Sequence, residues 1–479
     1  MKRSYENALK LLELRRRHGR PTAAPATHTA PQDSTMPSSD KILKGIPNLA
    51  GMSEWLRVLG HSDRDLDALN IVHIAGTKGK GSTCAFTRSF LRAHSSRTGF
   101  PTRIGLYTSP HLKCIRERIQ IDNQPITEDM FARYFFEVWE SLISLEIKRL
   151  PRYLQLLALL AFHTFVKEKV DAAIFETHHG GEYDATNVIP NPVVTGITSL
   201  GMDHISQLGP TIEDIAWHKA GIFKTGTPAF SVLQETRAGA ILSKRAAEKG
   251  VNLTFVSTSD ALPDSGGVLS IPVQRLNCSL ACEIVRAFLK LKAPDHTFEL
   301  DDISSGIESF SWAGRFEIID HGTSVWFLDG AHNIMSLEQA AEWYSNNTRG
   351  LDTQTCRILI FSHFSEDRDG PALVGCLAHS LLKHNALPDY VIFTTYRESE
   401  GGSADKTIIS ETSIPEFCDV YAAFWKGFSP QAVVSAEPTI EGAIKLAKRI
   451  GAQHGEMEVF ITGSLHLVGG ALNLLRAQN

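Results

Sequence analysis

Short apolar runs, each followed by a stretch of helix length, recur along most of this chain and constrain its fold more than any other feature. The first series is IVHIAG (71–76), TRIGLYTS (102–109), DAAIFE (171–176) and PVVTGITSL (192–200). Runs that stay apolar at successive positions fit strands buried on both faces, as a parallel sheet covered by helices requires. A second series repeats the pattern: VWFLDGAH (325–332), RILIFSHF (357–364), YVIFTTY (390–396) and VFITGS (459–464). The expectation is an α/β protein with two sheets. A chain of 479 residues exceeds what one core commonly fills, so two domains are expected, residues 1–300 and 301–479. The boundary is placed near 295–305, after the amphipathic helix expected in SIPVQRLNCSLACEIVRAFLKL (270–291). Residues 21–40, rich in Pro, Ser, Thr and Ala, read as a flexible loop. A cleft between two such domains is the natural place for a ligand.

Composition removes several function classes. A formal net charge of -5 provides no overall basic field of the kind nonspecific nucleic-acid binding uses. No apolar run has the length of a membrane span, and the start MKRSYENALKLLELRRRHGRP lacks the apolar core of a secretory signal. A soluble, cytoplasmic protein is expected. The basic, amphipathic start resembles a mitochondrial presequence, against which Glu6 and Glu13 argue. The seven cysteines are scattered apart from Cys278 and Cys282, so neither a disulfide framework nor a zinc cluster is indicated.

The stretch HIAGTKGKGSTCAFT (73–87) begins as a strand, turns through Gly76, Gly79 and Gly81, and continues as a helix. Such a turn directs backbone N–H groups and the helix dipole at one point, where an anion is favoured. Lys80 is placed to reach terminal phosphates, and the Ser82 or Thr83 hydroxyl to face Mg2+. The strict G-x-x-x-x-G-K-[ST] pattern is not met, because Ile74 and Gly81 stand where it requires glycine and a hydroxyl. A plain glycine turn is the bland alternative; the lysine and hydroxyls favour phosphate.

The spelling GTKGKGS resembles the nucleotide loop of the Mur-type amide ligases, in particular their folylpolyglutamate and dihydrofolate synthase branch. Further segments agree in order: GLYTSPHL with RERIQI (105–121), GGEYDATN (180–187), GMDHISQLG (201–209), IAWHKAGIFK (215–224), WAGRFE (312–317), FLDGAHN (327–333) and TGSLHLVGG (462–470). The resemblance spans roughly residues 45–475 and also reaches the N-terminal helix.

It implies a P-loop ATP-binding N-terminal domain, a smaller Rossmann-like α/β C-terminal domain, and an active site in the interdomain cleft. It also implies an enzyme that uses ATP to make an acyl phosphate of a folate γ-carboxylate, which the amine of L-glutamate attacks. Gly76, Thr77, Lys78, Gly79, Lys80, Gly81, Ser82 and Thr83 correspond to its phosphate cradle. Asn277, Arg315, Asp329 and His332 correspond to its other nucleotide contacts. Ser109, Glu176 and His204 match its metal ligands, together with Lys219 if carbamylated. Lys80, Lys219, His204 and Glu176 are thereby the catalytic candidates. ATP and Mg2+ are the implied cofactors, with a monovalent cation as a further candidate. The partners are reduced folate, L-glutamate and ATP, with no nucleic acid or stable membrane insertion, and the chain is expected to act as a monomer.

Taken singly, these residues have ordinary readings. Ser109 before Pro110 makes a turn, Glu176 caps a helix, His204 is a bonded core residue, Lys219 extends to solvent and Arg315 joins a surface ion pair. Their joint order favours the functional reading. Imidazole is an unusual donor for a hard ion, so His204 rests on the resemblance alone.

The match departs at ETHHGGEYDATN, where Thr177, His178 and His179 are bulkier and more polar than the family's run and Glu182 replaces a cation. A reversed charge near phosphate bears on substrate choice, because two charges 4 Å apart interact by about 4 kcal/mol at intermediate dielectric. A solvent-facing Glu182 would leave the chemistry unchanged. His178 and His179, being adjacent, are expected to face different ways rather than share a metal. Gln155 and Ala158 stand where the family tends to place an acid and a threonine, and Ala313 where it has proline. The alternatives are a dihydrofolate synthase, a ligase of another carboxylate, or an inactive binder of folate or ATP.

Overall fold

The computed structural model describes residues 2–16, 47–144, 149–260, 262–263, 267–348, 355–364, 369–399 and 414–476, so the loop expected at 21–40 lies outside the described residues. Two compact units are present: Met1–His111 with Ile115–Ser311, and Leu112–Cys114 with Trp312–Asn479. The first unit runs past residue 300 because the helix Leu300–Glu308 packs on the helix Lys80–Thr98. Asp302 accepts from Arg97 at 2.7 Å, and the Phe310 and Phe86 rings stack at 3.8 Å.

The first unit carries β1 (Val72–Ala75), β2 (Ile104–Tyr107), β3 (Ile119–Ile121), β4 (Gln124–Pro125), β5 (Ala172–Glu176), β6 (Val194–Ile197), β7 (Ala229–Val232) and β8 (Leu253–Val256). Their order is β4-β3-β2-β5-β1-β6-β7-β8. The six strands from β2 to β8 are parallel, while β3 and β4 add antiparallel. The central strands β1, β2, β5 and β6 are buried at every residue, which accounts for their unbroken apolar spelling. The helices Lys80–Thr98 and Pro272–Lys292 pack together; the second opens with proline in its first turn, where no N–H is required. In register, Ile74 stands opposite Glu176 and Tyr107 opposite Phe175, so β1, β2 and β5 end level with one another.

The second unit carries β9 (Glu317–Asp320), β10 (Ser324–Leu328), β11 (Cys356–Phe361), β12 (Tyr390–Thr394), β13 (Val433–Glu437) and β14 (Met457–Thr462), in the order β13-β12-β11-β14-β10-β9. Only β9 runs antiparallel. Its core joins Trp326, Ile358, Ile360, Val459 and Ile461 from the sheet to Ile444, Val468 and Leu472 from covering helices. All seven cysteines are free thiols, and among the described residues no helix is long and apolar enough to cross a membrane.

Candidate active site

The carboxyl ends of β1, β2, β5 and β6 gather most of the expected residues of the first unit. After β1 the chain turns at Gly76 (φ 146) and Gly79 (φ 88). Both positions require glycine. A Cβ on Gly76 would stand 1.9 Å from Thr198 Oγ1, and one on Gly79 would stand 2.3 Å from Asn277 Oδ1. Asn277 is thus packed directly beneath the turn. The helix Lys80–Thr98 starts from Gly79 with no side-chain cap, which leaves its positive end to an external anion. The N–H groups of Thr77 and Lys78 instead bond Ser199 O, at 3.0 and 3.1 Å, and fix the loop to β6.

Lys80 Nζ lies 3.9 Å from Glu176 Oε1, both side chains being mostly buried. Glu176 ends β5, and its other oxygen accepts from the Thr108 hydroxyl and from Ser109 N at 3.2 Å. Ser109 Oγ accepts from Arg118 at 2.9 Å, and Arg118 also bonds His111 Nδ1 at 2.9 Å. Lys219, only 2 % exposed, donates from Nζ to Gly76 O at 2.7 Å. Burial, then repulsion from Lys80 and Lys78, pushes its pKa well below that of an ordinary lysine, although Asp203 and Asp184 pull the other way. Neutral amine is therefore accessible there. Lys78 Nζ lies 3.8 Å from Asp203 Oδ2.

His204 sits at φ 50 before a short helical turn, its ring 5.3 Å from that of His179. The adjacent histidines do face different ways: His178 Nε2 meets the Tyr107 hydroxyl at 2.6 Å, whereas His179 turns to His204. Burial lowers the His179 pKa to about 4. Glu182 is compensated rather than aimed at a phosphate, since its carboxylate accepts from Arg245 at 2.8 Å and Lys249 at 3.5 Å. Arg245 in turn lies over the Trp217 ring. Gln155, fully buried, donates to Asn48 O and Ala50 O at 2.7 and 3.0 Å and accepts from Arg152, so its amide serves the 47–50 segment.

The oxygen donors Glu176, Ser109 and Thr83 suit a hard divalent cation, and Thr83 Oγ1 is buried without a hydrogen-bond partner. Among the described residues no three His, Cys, Asp or Glu side chains converge as a ready metal site. That donor set fits Mg2+, which commonly takes one or two carboxylates and completes its shell with phosphate oxygens and water.

In the second unit, β10 ends at Leu328 and Asp329 follows, its carboxylate accepting from Phe316 N at 3.0 Å and Ala331 N at 2.9 Å. Arg315 bonds Gly314 O at 3.0 Å, and His332 Nδ1 meets Gly330 O at 2.9 Å. Asn333 then caps the helix Ile334–Asn347. Arg315, Asp329 and His332 thus share one strand–loop–helix corner. Sequence reasoning missed Tyr107, Thr108, Arg118 and Ser199. All four lay within segments singled out, yet only the pairing of β2 with β3 and β5 shows what the first three touch.

A lysine and a carboxylate thus meet at the start of a helix that leaves a parallel strand, within an α/β unit. Residues 74–265 match the Mur ligase middle domain and residues 315–474 the C-terminal domain of dihydrofolate synthetase. The chain is 42% identical to the folylpolyglutamate synthase of Neurospora crassa over 88% of its own length and 84% of that protein's. It is 38% identical to that of Saccharomyces cerevisiae (strain FostersO), over 90% and 81%. It belongs to the folylpolyglutamate synthase family. The Mycobacterium tuberculosis folylpolyglutamate synthase complexed with ADP shares the fold, with a TM-score of 0.75 at 22% identity over 98% of each chain.

Proposed function

We propose that this chain joins L-glutamate to the γ-carboxylate of a (tetrahydro)folyl-glutamate at the expense of ATP, through an acyl phosphate, giving ADP, phosphate and the lengthened folate. The observation that carries this reading is the meeting of Lys80 and Glu176 at the uncapped start of the helix Lys80–Thr98. ATP's phosphates lie at that helix start, with Lys80 on the terminal group. The family resemblance also assigns Asn277 of the first unit, and Arg315, Asp329 and His332 of the second, to the nucleotide. A carboxylate attacks a polyanion poorly, so cationic groups must offset repulsion and the charge developing on the transferred phosphoryl.

Glu176, Ser109 and His204 would hold Mg2+, with Thr83 and carbamylated Lys219 contributing further oxygens. The bound ion supplies charge neutralisation at the phosphoryl oxygens. Carbamylation requires a neutral amine, which burial of Lys219 favours. The enzyme works as a monomer in the cytoplasm, with a mitochondrial pool as the second location and a monovalent cation as a further cofactor.

Dihydrofolate synthesis is the second reading, favoured by the match of residues 315–474. The relatives that match almost the whole chain weigh more, since they include the first unit with Lys80 and Glu176. Purified protein with ATP, Mg2+, labelled glutamate and either tetrahydrofolate or dihydropteroate decides between them. Labelled product and ADP are expected from tetrahydrofolate; product from dihydropteroate alone overturns the assignment, and nucleotide binding without ADP release marks an inactive homologue.

A further inference from the structure

We propose that His178 is a positioning residue for the Glu176 carboxylate, acting through Tyr107 on the neighbouring strand. This rests on the role proposed above for Glu176. The Tyr107 hydroxyl and His178 Nε2 are 2.6 Å apart and both side chains are buried. At that distance the phenol hydroxyl donates to the ring nitrogen. The other ring nitrogen, Nδ1, lies 3.4 Å from Asp184 Oδ1. Asp184 is a fixed anchor: it accepts from His178 N at 3.0 Å, His179 N at 3.1 Å, Thr186 N at 3.0 Å and the Thr186 hydroxyl at 2.7 Å. That hydroxyl also meets His73 Nε2 on β1 at 2.9 Å.

The chain of contacts therefore ties the end of β2 and the segment after β5 to His73 within β1, and these three strands are neighbours in the sheet. It reaches Glu176 through the two residues after Tyr107. Thr108 and Ser109 both donate to Glu176 Oε2. Holding Tyr107 holds those two donors, and they set the direction in which the opposite oxygen faces Lys80. Groups that orient a ligand without touching the ion commonly change affinity or activity 10- to 100-fold, roughly, when removed.

Tyr107→Phe deletes the hydroxyl alone and keeps the ring in the core. Two quantities are read: the Mg2+ concentration giving half-maximal ADP formation, and Mn2+ binding with a non-hydrolysable ATP analogue, followed by electron paramagnetic resonance. Both are expected to weaken about tenfold, with the KM for folate unchanged. His178→Ala should reproduce this, while His178→Gln, whose amide reaches Tyr107, should restore most of it. Should His178→Ala not fold, Tyr107→Phe alone decides. Loss of thermal stability in Tyr107→Phe with wild-type Mn2+ binding overturns the inference and leaves His178 a core residue. Glu176→Gln separates the two levels: unchanged Mn2+ binding there removes Glu176 from the site, whereas weakened binding there beside unchanged binding in Tyr107→Phe removes only His178.

Discussion

Lys219 carries the sharpest electrostatic contradiction in the site, a lysine enclosed by protein with two further lysines close enough to lower its proton affinity. Its amine is nevertheless held, by the Gly76 carbonyl at 2.7 Å, so the residue cannot relax toward solvent as surface lysines do. If its task is to become a carbamate, Lys219→Ala should reduce turnover by about 10- to 100-fold, with partial recovery on adding a small carboxylate such as acetate. Steady-state ADP release with and without acetate, in buffers containing or stripped of bicarbonate, checks this. An alanine variant that turns over normally without either ion contradicts it. Glu182 shows the opposite outcome at the same scale. Its reversed charge suggested an effect on substrate, yet Arg245 and Lys249 neutralise it, and the Arg245 partner lies 63 residues away in sequence. No local pattern announces a pair so distant.

Among the elements, the strand–turn–helix from β1 to Lys80–Thr98 was readable because its requirements are local: an apolar run, glycines where the backbone turns left-handed, and a helix beyond. Gly79→Ala tests the turn itself. An L-residue at that φ costs about 1–2 kcal/mol, and the added Cβ would overlap Asn277 Oδ1. Reduced thermal stability and at least tenfold weaker ATP binding, roughly one lost hydrogen bond to a charged group, are expected by calorimetry. Adding Asn277→Ala should recover part of the stability but not the affinity; wild-type ATP affinity in Gly79→Ala contradicts the cradle. The buried central strands were legible for the same local reason. Edge strands were not: β9 alternates intermediate and exposed residues, and β3 and β4 are only three and two residues long. Thr108 and Arg118 were likewise hidden, since their roles arise only when β2 lies between β5 and β3.

At the scale of the whole molecule, several histidines are buried in the neutral form. Burial lowers the pKa of His61 to about 4, His73 to about 3 and His179 to about 4, and it lowers His163 as well. A histidine with a folded pKa below its unfolded value near 6.5 binds fewer protons folded than unfolded, so acidification through that interval favours unfolding. The thermal midpoint should therefore fall as pH drops from about 6.5 to about 4. Scanning calorimetry across that interval checks it, and a flat midpoint contradicts it.

The activity proposed for this chain depends above all on where the nucleotide's phosphates lie. A crystal structure of this chain with a non-hydrolysable ATP analogue and Mg2+ measures this directly. The expected result is a terminal phosphate against the first N–H groups of the helix Lys80–Thr98, with Lys80 Nζ in contact and Glu176 beside the ion. A triphosphate bound elsewhere, with the turn from Gly76 to Gly79 and the helix start beyond it vacant, would contradict it.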